Sequence, residues 1–144
     1  MSDSLPPGSR VFIDTSAYVA LVRIADGQHQ QARHIMDRIV GARVRLFITN
    51  FVIAEIHAFL VTRSGIPLAT RFVREVGQST INVVRVGVED EERAKEIILQ
   101  YNDKDFSYTD ATSFAVMDRL DIQYAFSFDH HFRRFGFILL PDLI

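Results

Sequence analysis

The chain has 144 residues, of which 48% are hydrophobic and 24% are charged, with a formal net charge of −2 and no cysteine. This composition is that of a folded globular domain, and it excludes a disordered, collagen-like or mucin-like chain. The lack of cysteine excludes disulfides, a cysteine nucleophile and cysteine-ligated zinc, so any metal site must be built from oxygen and imidazole ligands.

The first ten residues are rich in serine, proline and glycine and contain no apolar stretch. They predict a flexible leader over residues 1–10, followed by a single domain over residues 11–144, a length at which one core forms without cross-links. The longest all-apolar run extends only from Ala17 to Val22, which is too short for a signal peptide or a membrane span. We therefore expect a cytoplasmic protein with no membrane segment.

Apolar residues in the first half of the chain alternate between strand-like runs and helical spacing. A short β-prone run stops at Asp14, and Asn50 is a residue type that begins helices. The pattern predicts, in chain order, a strand at 11–13, a helix after 14–16, a helix over 28–40, a strand at 45–49, and helices over 50–63 and 68–76.

The second half repeats this alternation. The run from Glu89 to Glu92 places four acidic residues in the first turn of a helix, where the helix dipole favours them. The pattern predicts a strand at 81–86, helices over 89–101 and 107–120, and strands at 124–128 and 137–140. Strands that alternate with helices in this way predict an α/β fold with a mostly parallel sheet covered by helices.

Two aspartates directly follow predicted strands. Asp14 comes after the first strand, and Asp129 comes after the aromatic strand at 124–128. The carboxyl ends of parallel strands form the edge at which open α/β sheets bind ligands. A single aspartate in such a position is also a common helix cap, but two strand ends that carry aspartate are less easily explained as two caps.

Two further acidic residues lie in helices that are otherwise apolar. Glu55 belongs to a helix whose residues 50–60 are apolar on almost every face, and a buried carboxylate there needs a partner or a metal. A salt bridge to an arginine at the edge of the core is the alternative. Asp110 begins the apolar helix at 109–115, where an acidic residue in the first turn also favours the helix dipole.

These four acidic residues come from four separate elements, and together they predict a shared cluster of carboxylate oxygens. Carboxylates that share one cavity repel one another unless protons or cations neutralise them. Mg²⁺ or Mn²⁺ is the expected cation, held by one or two carboxylates together with water and substrate phosphate oxygens.

Four segments spread along the chain carry a resemblance to a known family. They are Phe-Ile-Asp-Thr-Ser-Ala at 12–17, Ala-Glu at 54–55, Asp-Phe-Ser-Tyr-Thr-Asp-Ala at 105–111, and Ser-Phe-Asp-His-His-Phe at 127–132. In these segments and in their order, the chain resembles the PIN-domain ribonucleases, and most closely the VapC-type toxins of bacterial toxin–antitoxin pairs. The resemblance covers almost the whole chain and implies a three-layer α/β/α sandwich with a central, mostly parallel sheet of four to five strands.

The resemblance also implies a site and an activity. The family's acidic quartet, which holds Mg²⁺ or Mn²⁺ and is catalytic, corresponds to Asp14, Glu55, Asp110 and Asp129. The hydroxyl groups that support it correspond to Thr15 or Ser16 and to Ser107 or Thr109. The implied function is a metal-dependent endoribonuclease that hydrolyses RNA phosphodiester bonds with a metal-activated water.

The same resemblance implies partners. A small antitoxin protein is the expected inhibitor, and we also expect a homodimer. Part of the apolar helix at 51–60 is a candidate surface for the second subunit or the antitoxin. Two other functions stay open, namely an RNA-processing PIN nuclease that is not a toxin and a non-catalytic PIN-like interaction module.

The remaining polar residues near the proposed site have several explanations. Arg133 and Arg134 are close enough to contact RNA phosphates, although a solvated pair of charges explains them equally well. The adjacent His130 and His131 favour surface or phosphate contacts over metal binding, and their roles stay open.

Asp103 and Asp105 fit a polar loop better than a set of ligands, so their roles also stay open. A haloacid-dehalogenase-type phosphatase is excluded, because it needs a second aspartate two residues after the first and the chain has Ser16 there. A receiver domain is disfavoured, because the first strand lacks an acidic pair and neither lysine is well placed.

Overall fold

The computed structural model describes residues 5–144, and its centre is a parallel β-sheet. The strands in this range are β1 (Arg10–Ile13), β2 (Arg45–Thr49), β3 (Asn82–Val84), β4 (Tyr124–Phe126) and β5 (Ile138–Leu139). They lie side by side in the order β3-β2-β1-β4-β5, and every pairing is parallel. The predicted mostly parallel sheet of four to five strands is therefore confirmed.

Eight helices within the described range connect the strands and cover the sheet. They are α1 (Thr15–Val22), α2 (His29–Gly41), α3 (Asn50–Arg63), α4 (Ile66–Gln78), α5 (Val88–Gln100), α6 (Tyr108–Arg119), α7 (His131–Arg134) and α8 (Leu140–Leu143). The predicted α/β sandwich is confirmed. None of these helices has the length and apolar character needed to cross a membrane.

The order of the strands reverses at β1, which pairs with β2 on one side and with β4 on the other. The chain builds outward from β1 through β2 to β3, and then returns to add β4 and β5 on the opposite side. In open parallel sheets, such a reversal creates a crevice at the carboxyl ends of the strands, where ligands bind. Asp14 directly follows β1 and Asp129 follows β4, so the fold places both beside this crevice.

The core lies between the sheet and one stripe of each helix. The apolar residues of β1 are at most 1% exposed, and α3 contributes Val52, Ile56 and Leu60, which are four residues apart and fall on one helical face. Phe114 of α6 lies at the centre of an aromatic cluster, 4.3 Å from the ring of Phe135 and 4.9 Å from that of Phe132. This cluster packs α6 and α7 against the sheet below the crevice.

The predicted elements differ from the observed ones at their ends and in two short helices. The strand predicted at 81–86 is a strand only over Asn82–Val84, and α4 continues through Gly77 to Gln78. The short helices α7 and α8 were not predicted, because four residues are too few to show a helical period.

The described part of the predicted leader is packed on the domain. Leu5 is buried in the core, and the backbone N–H of Gly8 donates to the carbonyl of Arg43. The first strand begins at Arg10, inside the predicted leader. A buried leucine and backbone hydrogen bonds join this segment to the domain, and the serine-, proline- and glycine-rich composition does not reveal them. The first four residues lie outside the described residues.

Candidate functional site

A cavity of about 370 Å³ opens at the crevice beside β1. Five carboxylates from separate segments line it, and they belong to Asp14, Asp26, Glu55, Asp110 and Asp129. The other lining residues are Thr15, Ser16, Val19, Gln28, Phe59 and Ser107. Within residues 5–144 no lysine or arginine lines this cavity. The structure thus brings the four acidic residues singled out in the sequence into one cavity and adds a fifth.

Asp14 is buried at the end of β1, with 3% of its surface exposed. It precedes α1, but its side chain accepts no capping hydrogen bond from that helix. Its Oδ2 accepts hydrogen bonds from the hydroxyls of Ser16 at 3.1 Å and Ser127 at 2.9 Å, whereas the buried Oδ1 has no hydrogen-bond partner in the described chain. A helix cap does not explain this residue, and a buried carboxylate oxygen without a partner fits a cation ligand.

Burial, together with neighbouring carboxylates, raises the pKa values of Asp14 and Asp110. Burial raises the pKa of Asp14 to about 7, and the charge of Asp110 adds to this rise. Burial also raises the pKa of Asp110 above its usual range, with further contributions from Asp129 and Glu55. The charged forms of Asp14 and Asp110 are therefore disfavoured in the metal-free protein, and a bound cation would stabilise them.

Glu55 is partly buried, so the prediction of a buried glutamate was wrong. Only the side of α3 that carries Val52, Ile56 and Leu60 faces the core, and Glu55 lies beside that stripe at the cavity. Its Oε1 accepts a hydrogen bond of 2.6 Å from the hydroxyl of Thr15. It forms no salt bridge with an arginine of the described chain.

Asp110 lies both at the cavity and in the first turn of α6, the two positions that the sequence predicted. Its Oδ2 accepts a hydrogen bond from the backbone N–H of Ser107, and the hydroxyl of Ser107 accepts one from the N–H of Asp110, both at 3.0 Å. This reciprocal pair is a capping box that begins α6 and fixes the Asp110 carboxylate at the cavity. Thr109 does not line the cavity, and its carbonyl accepts hydrogen bonds from hydroxyls further along α6.

Asp129 is held by His131. Its Oδ1 accepts a hydrogen bond of 2.9 Å from the backbone N–H of His131 and lies 2.7 Å from the ring Nδ1. The ligand atoms of Asp129, His130 and His131 lie within 4.8 Å of one another, the only such set of three acidic or histidine side chains within residues 5–144. The acidic quartet is more widely spaced, which suits a cation that takes one or two carboxylates directly and fills its other positions with water.

Sequence reasoning missed three residues, two that line the cavity and one that supports it from behind. Asp26 and Gln28 come from the loop between α1 and α2, where the N–H of Gln28 donates to the Asp26 carboxylate at 2.8 Å, and nothing in the sequence signals this turn toward the site. Ser127 donates to Asp14 and accepts from the N–H of Asp129 at 3.0 Å. A serine between a strand and the aspartate at its end was the available signal for Ser127.

The arginines that the sequence suggested do not line the cavity, whereas two others lie near a residue of its wall. Arg133 forms two hydrogen bonds with Asp142, at 2.8 and 2.9 Å, and neither it nor Arg134 lines the cavity. In contrast, the guanidinium carbons of Arg23 and Arg63 lie 5.6 and 5.7 Å from the ring centre of Phe59, which is a lining residue.

Arg23 is oriented by a hydrogen bond of 2.9 Å from its Nε to the Ser64 hydroxyl. Neither Arg23 nor Arg63 forms an ion pair with any residue that the structure describes. Two uncompensated positive charges therefore lie beside the acidic cavity.

The chain is similar to known proteins over most of its length. The family model of the PIN domain matches residues 11–138, a range that includes every lining residue of the cavity. The chain is 32% identical over 129 residues to the 23S rRNA-specific endonuclease VapC20 of Mycobacterium tuberculosis, covering 89% of this chain and 95% of that protein. It is 27% identical over 109 residues to Ribonuclease VapC26 of the same species, covering 76% of this chain and 78% of that protein.

Solved structures show the same similarity. The crystal structure of M. tuberculosis VapC20, described as a Sarcin-Ricin loop cleaving toxin, matches with a TM-score of 0.82 and 30% identity, over 89% of this chain and 96% of that one. VapBC2 from Rickettsia felis, bound to a DNA fragment from its promoter, matches with a TM-score of 0.68 and 11% identity, over 90% of this chain and 96% of that one. The second similarity is one of fold alone.

Proposed function

Because this chain belongs to the PIN-domain family, we propose that it is a divalent-metal-dependent endoribonuclease and the toxin of a toxin–antitoxin pair, acting in the cytoplasm. The observation that carries the proposal is the cavity in which five carboxylates meet. Such a concentration of like charge is unfavourable unless a cation enters it. The names of VapC20 and VapC26 support RNA as the class of substrate.

The donor set fits Mg²⁺ or Mn²⁺. All of the candidate ligands are carboxylates, the ligand type that these hard cations prefer. Asp14 offers a buried oxygen with no partner in the described chain, and Glu55, Asp110 and Asp129 line the same cavity. When bound, the cation supplies an activated water and stabilises negative charge at the scissile phosphate.

Neighbouring groups hold these carboxylates in place. Ser16 and Ser127 both donate to Oδ2 of Asp14, which leaves Oδ1 for a ligand. Thr15 holds Glu55, and Ser107 holds Asp110. These contacts support a role for Thr15, Ser16 and Ser107 in keeping the cavity ready for a cation, since preorganised ligands need no rearrangement on binding.

RNA must approach an acidic cavity, so positive charge is needed beside it. We propose that Arg23 and Arg63, whose guanidinium groups lie near the ring of Phe59 in the cavity wall, contact phosphates of the bound RNA. The aromatic ring restricts the two guanidinium groups and thereby lowers the entropy lost on binding. Arg134 is exposed and stays a second candidate.

We also propose a small antitoxin as the inhibitor and a homodimer as the assembly. The description of VapC20 as a toxin supports the first part. On this chain, α3 and α4 leave apolar side chains exposed, with Val61 41%, Ile66 70% and Val73 47% exposed, and such side chains suit a protein contact. An antitoxin arginine placed among the carboxylates would neutralise them as a cation does. Light scattering of the purified chain tests the dimer.

The nuclease activity is tested by incubating the purified protein with bacterial 23S rRNA in Mg²⁺ or Mn²⁺, and then with excess chelator. We expect cleavage that the chelator abolishes, with products carrying a 5′-phosphate and a 3′-hydroxyl. These ends distinguish the proposed reaction from that of common contaminating ribonucleases, which use the 2′-hydroxyl of the substrate. Equal cleavage with and without chelator would reject the metal-dependent reaction.

The toxin assignment is tested separately, by expressing the chain alone and together with its neighbouring open reading frame. We expect growth arrest in the first case and rescue in the second, with a small protein that co-purifies. Unaffected growth combined with RNA cleavage would favour an RNA-processing nuclease that is not a toxin. A protein that cleaves no RNA would favour the non-catalytic module.

A further inference from the structure

His131 lies between two carboxylates, one at the cavity and one at the surface. Its Nδ1 is 2.7 Å from Oδ1 of Asp129, and its Nε2 is 2.7 Å from Oδ1 of Asp105. The His131 side chain is only 9% exposed, whereas the Asp105 side chain is 93% exposed. The three side chains therefore form a continuous path of hydrogen bonds from the protein surface to the wall of the cavity.

Packing and backbone contacts fix the middle of this path. The ring of Phe106 meets the imidazole of His131 edge-on at 5.9 Å, and the ring of His130 stacks on it at 4.4 Å. Oδ1 of Asp129 faces both the backbone N–H and the ring nitrogen of the same histidine, so rotation of the carboxylate would disrupt both contacts. Oδ2 of Asp129 is left as the oxygen available to a ligand.

The geometry assigns His131 a different role from that of a metal ligand. Its ligand atom lies within 4.8 Å of those of Asp129 and His130, a spacing that a shared cation could bridge. Both of its ring nitrogens, however, already face carboxylate oxygens at hydrogen-bond distance. Neither nitrogen can bind a cation without giving up one of these contacts.

We infer that His131 and Asp105 are positioning residues that orient Asp129 for binding a divalent cation, an inference that rests on the proposed function. Asp105 fixes the imidazole from the surface, and the imidazole fixes the carboxylate at the cavity. Groups that orient metal ligands in this way change metal affinity by about 10–100-fold when they are lost.

Asp105 offers a direct test, because its exposed side chain can be changed without opening the core. Asp105→Ala removes the acceptor, whereas Asp105→Asn removes the charge but keeps an acceptor oxygen for His131. The matched control is Asp103→Ala, which removes the same charge from the same loop but breaks a surface pair with Lys104. The measurement is the affinity of each metal-stripped protein for Mn²⁺, followed by electron paramagnetic resonance.

We expect Asp105→Ala to weaken Mn²⁺ binding by about tenfold, the lower end of the range for supporting residues. Asp105→Asn should retain most of the affinity, and Asp103→Ala should match the wild type. Equal losses in Asp105→Ala and Asp103→Ala would overturn the inference, because the effect would then come from charge alone. An unchanged affinity in all three variants would overturn it as well.

A double-mutant cycle tests whether Asp105 acts through His131. His131→Asn keeps an amide donor near the position of Nδ1 but cannot reach Asp105. In that background, Asp105→Ala should cause no further loss of Mn²⁺ affinity, whereas additive losses would overturn the inference. Thermal melts check that the substitution at the buried histidine leaves the fold intact. If His131→Asn does not fold, the comparison of Asp105→Ala with Asp103→Ala alone tests the inference.

The spectrum of bound Mn²⁺ supplies an independent readout. We expect the spectrum of the wild type to show no coupling between Mn²⁺ and a nitrogen of His131. A nitrogen coupling that is present in the wild type and absent in His131→Asn would make His131 a ligand and would overturn the inference. A wild-type protein that binds Mn²⁺ without cleaving RNA would reject the nuclease but leave the positioning role standing if the variants behave as expected. A wild-type protein that binds no Mn²⁺ would overturn both.

Discussion

Two aspartates in this molecule each expose only 3% of their surface, but Asp14 lies deeper in the protein than Asp90 and the two have opposite surroundings. Asp90, in the first turn of α5, accepts two hydrogen bonds from Arg119 at 2.7 and 2.9 Å and one from the N–H of Gly87 at 3.0 Å. Oδ2 of Asp14 accepts hydrogen bonds from the hydroxyls of Ser16 and Ser127, and Oδ1 has no partner in the described chain.

The pKa values of the two aspartates follow these surroundings. Burial raises the pKa of both, but the hydrogen bonds and charge of Arg119 hold the pKa of Asp90 below its usual range, whereas that of Asp14 rises to about 7. Asp90 is fully compensated from within the chain and joins α5 to α6. Asp14 has no such compensation within the described chain, and under the proposed function a bound cation would supply it.

The largest expected effect is on cleavage of RNA. Asp14→Asn, Glu55→Gln and Asp110→Asn should each lower the cleavage rate by more than about 100-fold, the upper end of the range for groups that only support a metal site. Asp129→Asn should also lower the rate, by at least about tenfold, because the loss of a cation ligand costs at least as much as the loss of a group that orients it. The measurement is the single-turnover rate on 23S rRNA at saturating Mn²⁺.

The matched control for these variants is Asp118→Asn, which removes one charge from the exposed face of α6. It should cleave at the wild-type rate. Variants at Asp14 or Glu55 that retain wild-type activity would show that the cavity is not the site of the reaction. Loss of activity caused by unfolding, seen in thermal melts without metal, would show that the carboxylates are structural.

The same substitution at the two buried aspartates should have opposite effects on stability. Asp90→Asn should lower the free energy of unfolding by about 1–3 kcal/mol, because it weakens hydrogen bonds with a charged partner. Asp14→Asn should raise the free energy of unfolding of the metal-free protein, because it removes a charge from a repelling cluster. Urea denaturation at pH 8 in chelator measures both free energies of unfolding. A lower free energy of unfolding in both variants would contradict the contrast between Asp14 and Asp90.

The stability of the metal-free protein should depend on pH through Asp14. Its pKa in the folded protein, about 7, lies above the ordinary value of 3.8, so the folded state binds its proton more tightly than the unfolded state does. The resulting stabilisation is complete below about pH 4 and is lost as the pH rises through 7.

Asp14→Asn removes the dependence of stability on pH that comes from protonation of Asp14, because asparagine does not titrate. The difference in melting temperature between the variant and the wild type, measured in chelator, should therefore be larger at pH 8 than at pH 5. Saturating Mn²⁺ at pH 8 should reverse its sign, because the wild type then gains a ligand that the variant binds poorly. A difference that does not change with pH would contradict the perturbed pKa.

The smallest expected effect is on RNA affinity. Arg23→Gln and Arg63→Gln should each weaken binding and lower the salt dependence of log affinity by about one unit, as expected for the loss of one phosphate contact. Arg93→Gln is the matched control, because Arg93 lies on α5 and pairs with Glu96. Fluorescence anisotropy of labelled RNA in chelator measures these affinities, and an equal change in the control would assign the effect to net charge.

The sequence predicted those residues of the cavity whose positions follow from a general rule of parallel sheets. Asp14 and Asp129 follow strands, and because the strands are parallel their carboxyl ends meet at one edge. Local patterns also predicted that Asp110 lies in the first turn of a helix, and the structure adds the capping box that it forms with Ser107. These features depend on spacing along the chain or on a general property of parallel sheets.

The remaining features depend on contacts between distant segments. Glu55 was expected to be buried because α3 is apolar on almost every side, but only tertiary packing decides which side faces the core. The contact of Asp105 with His131 joins residues 26 positions apart through side chains whose directions the sequence does not specify. Asp26 reaches the cavity from a loop, where neither helical nor strand periodicity applies.

The most direct test of the proposed function is the rate of 23S rRNA cleavage across a titration of Mn²⁺, measured for the wild type and for Asp14→Asn at pH 8. The proposed function requires no cleavage in chelator, a saturable rise with Mn²⁺ for the wild type, products that carry a 5′-phosphate, and no comparable rise for Asp14→Asn. Cleavage that does not depend on Mn²⁺, or an Asp14→Asn protein that follows the wild-type curve, would contradict it.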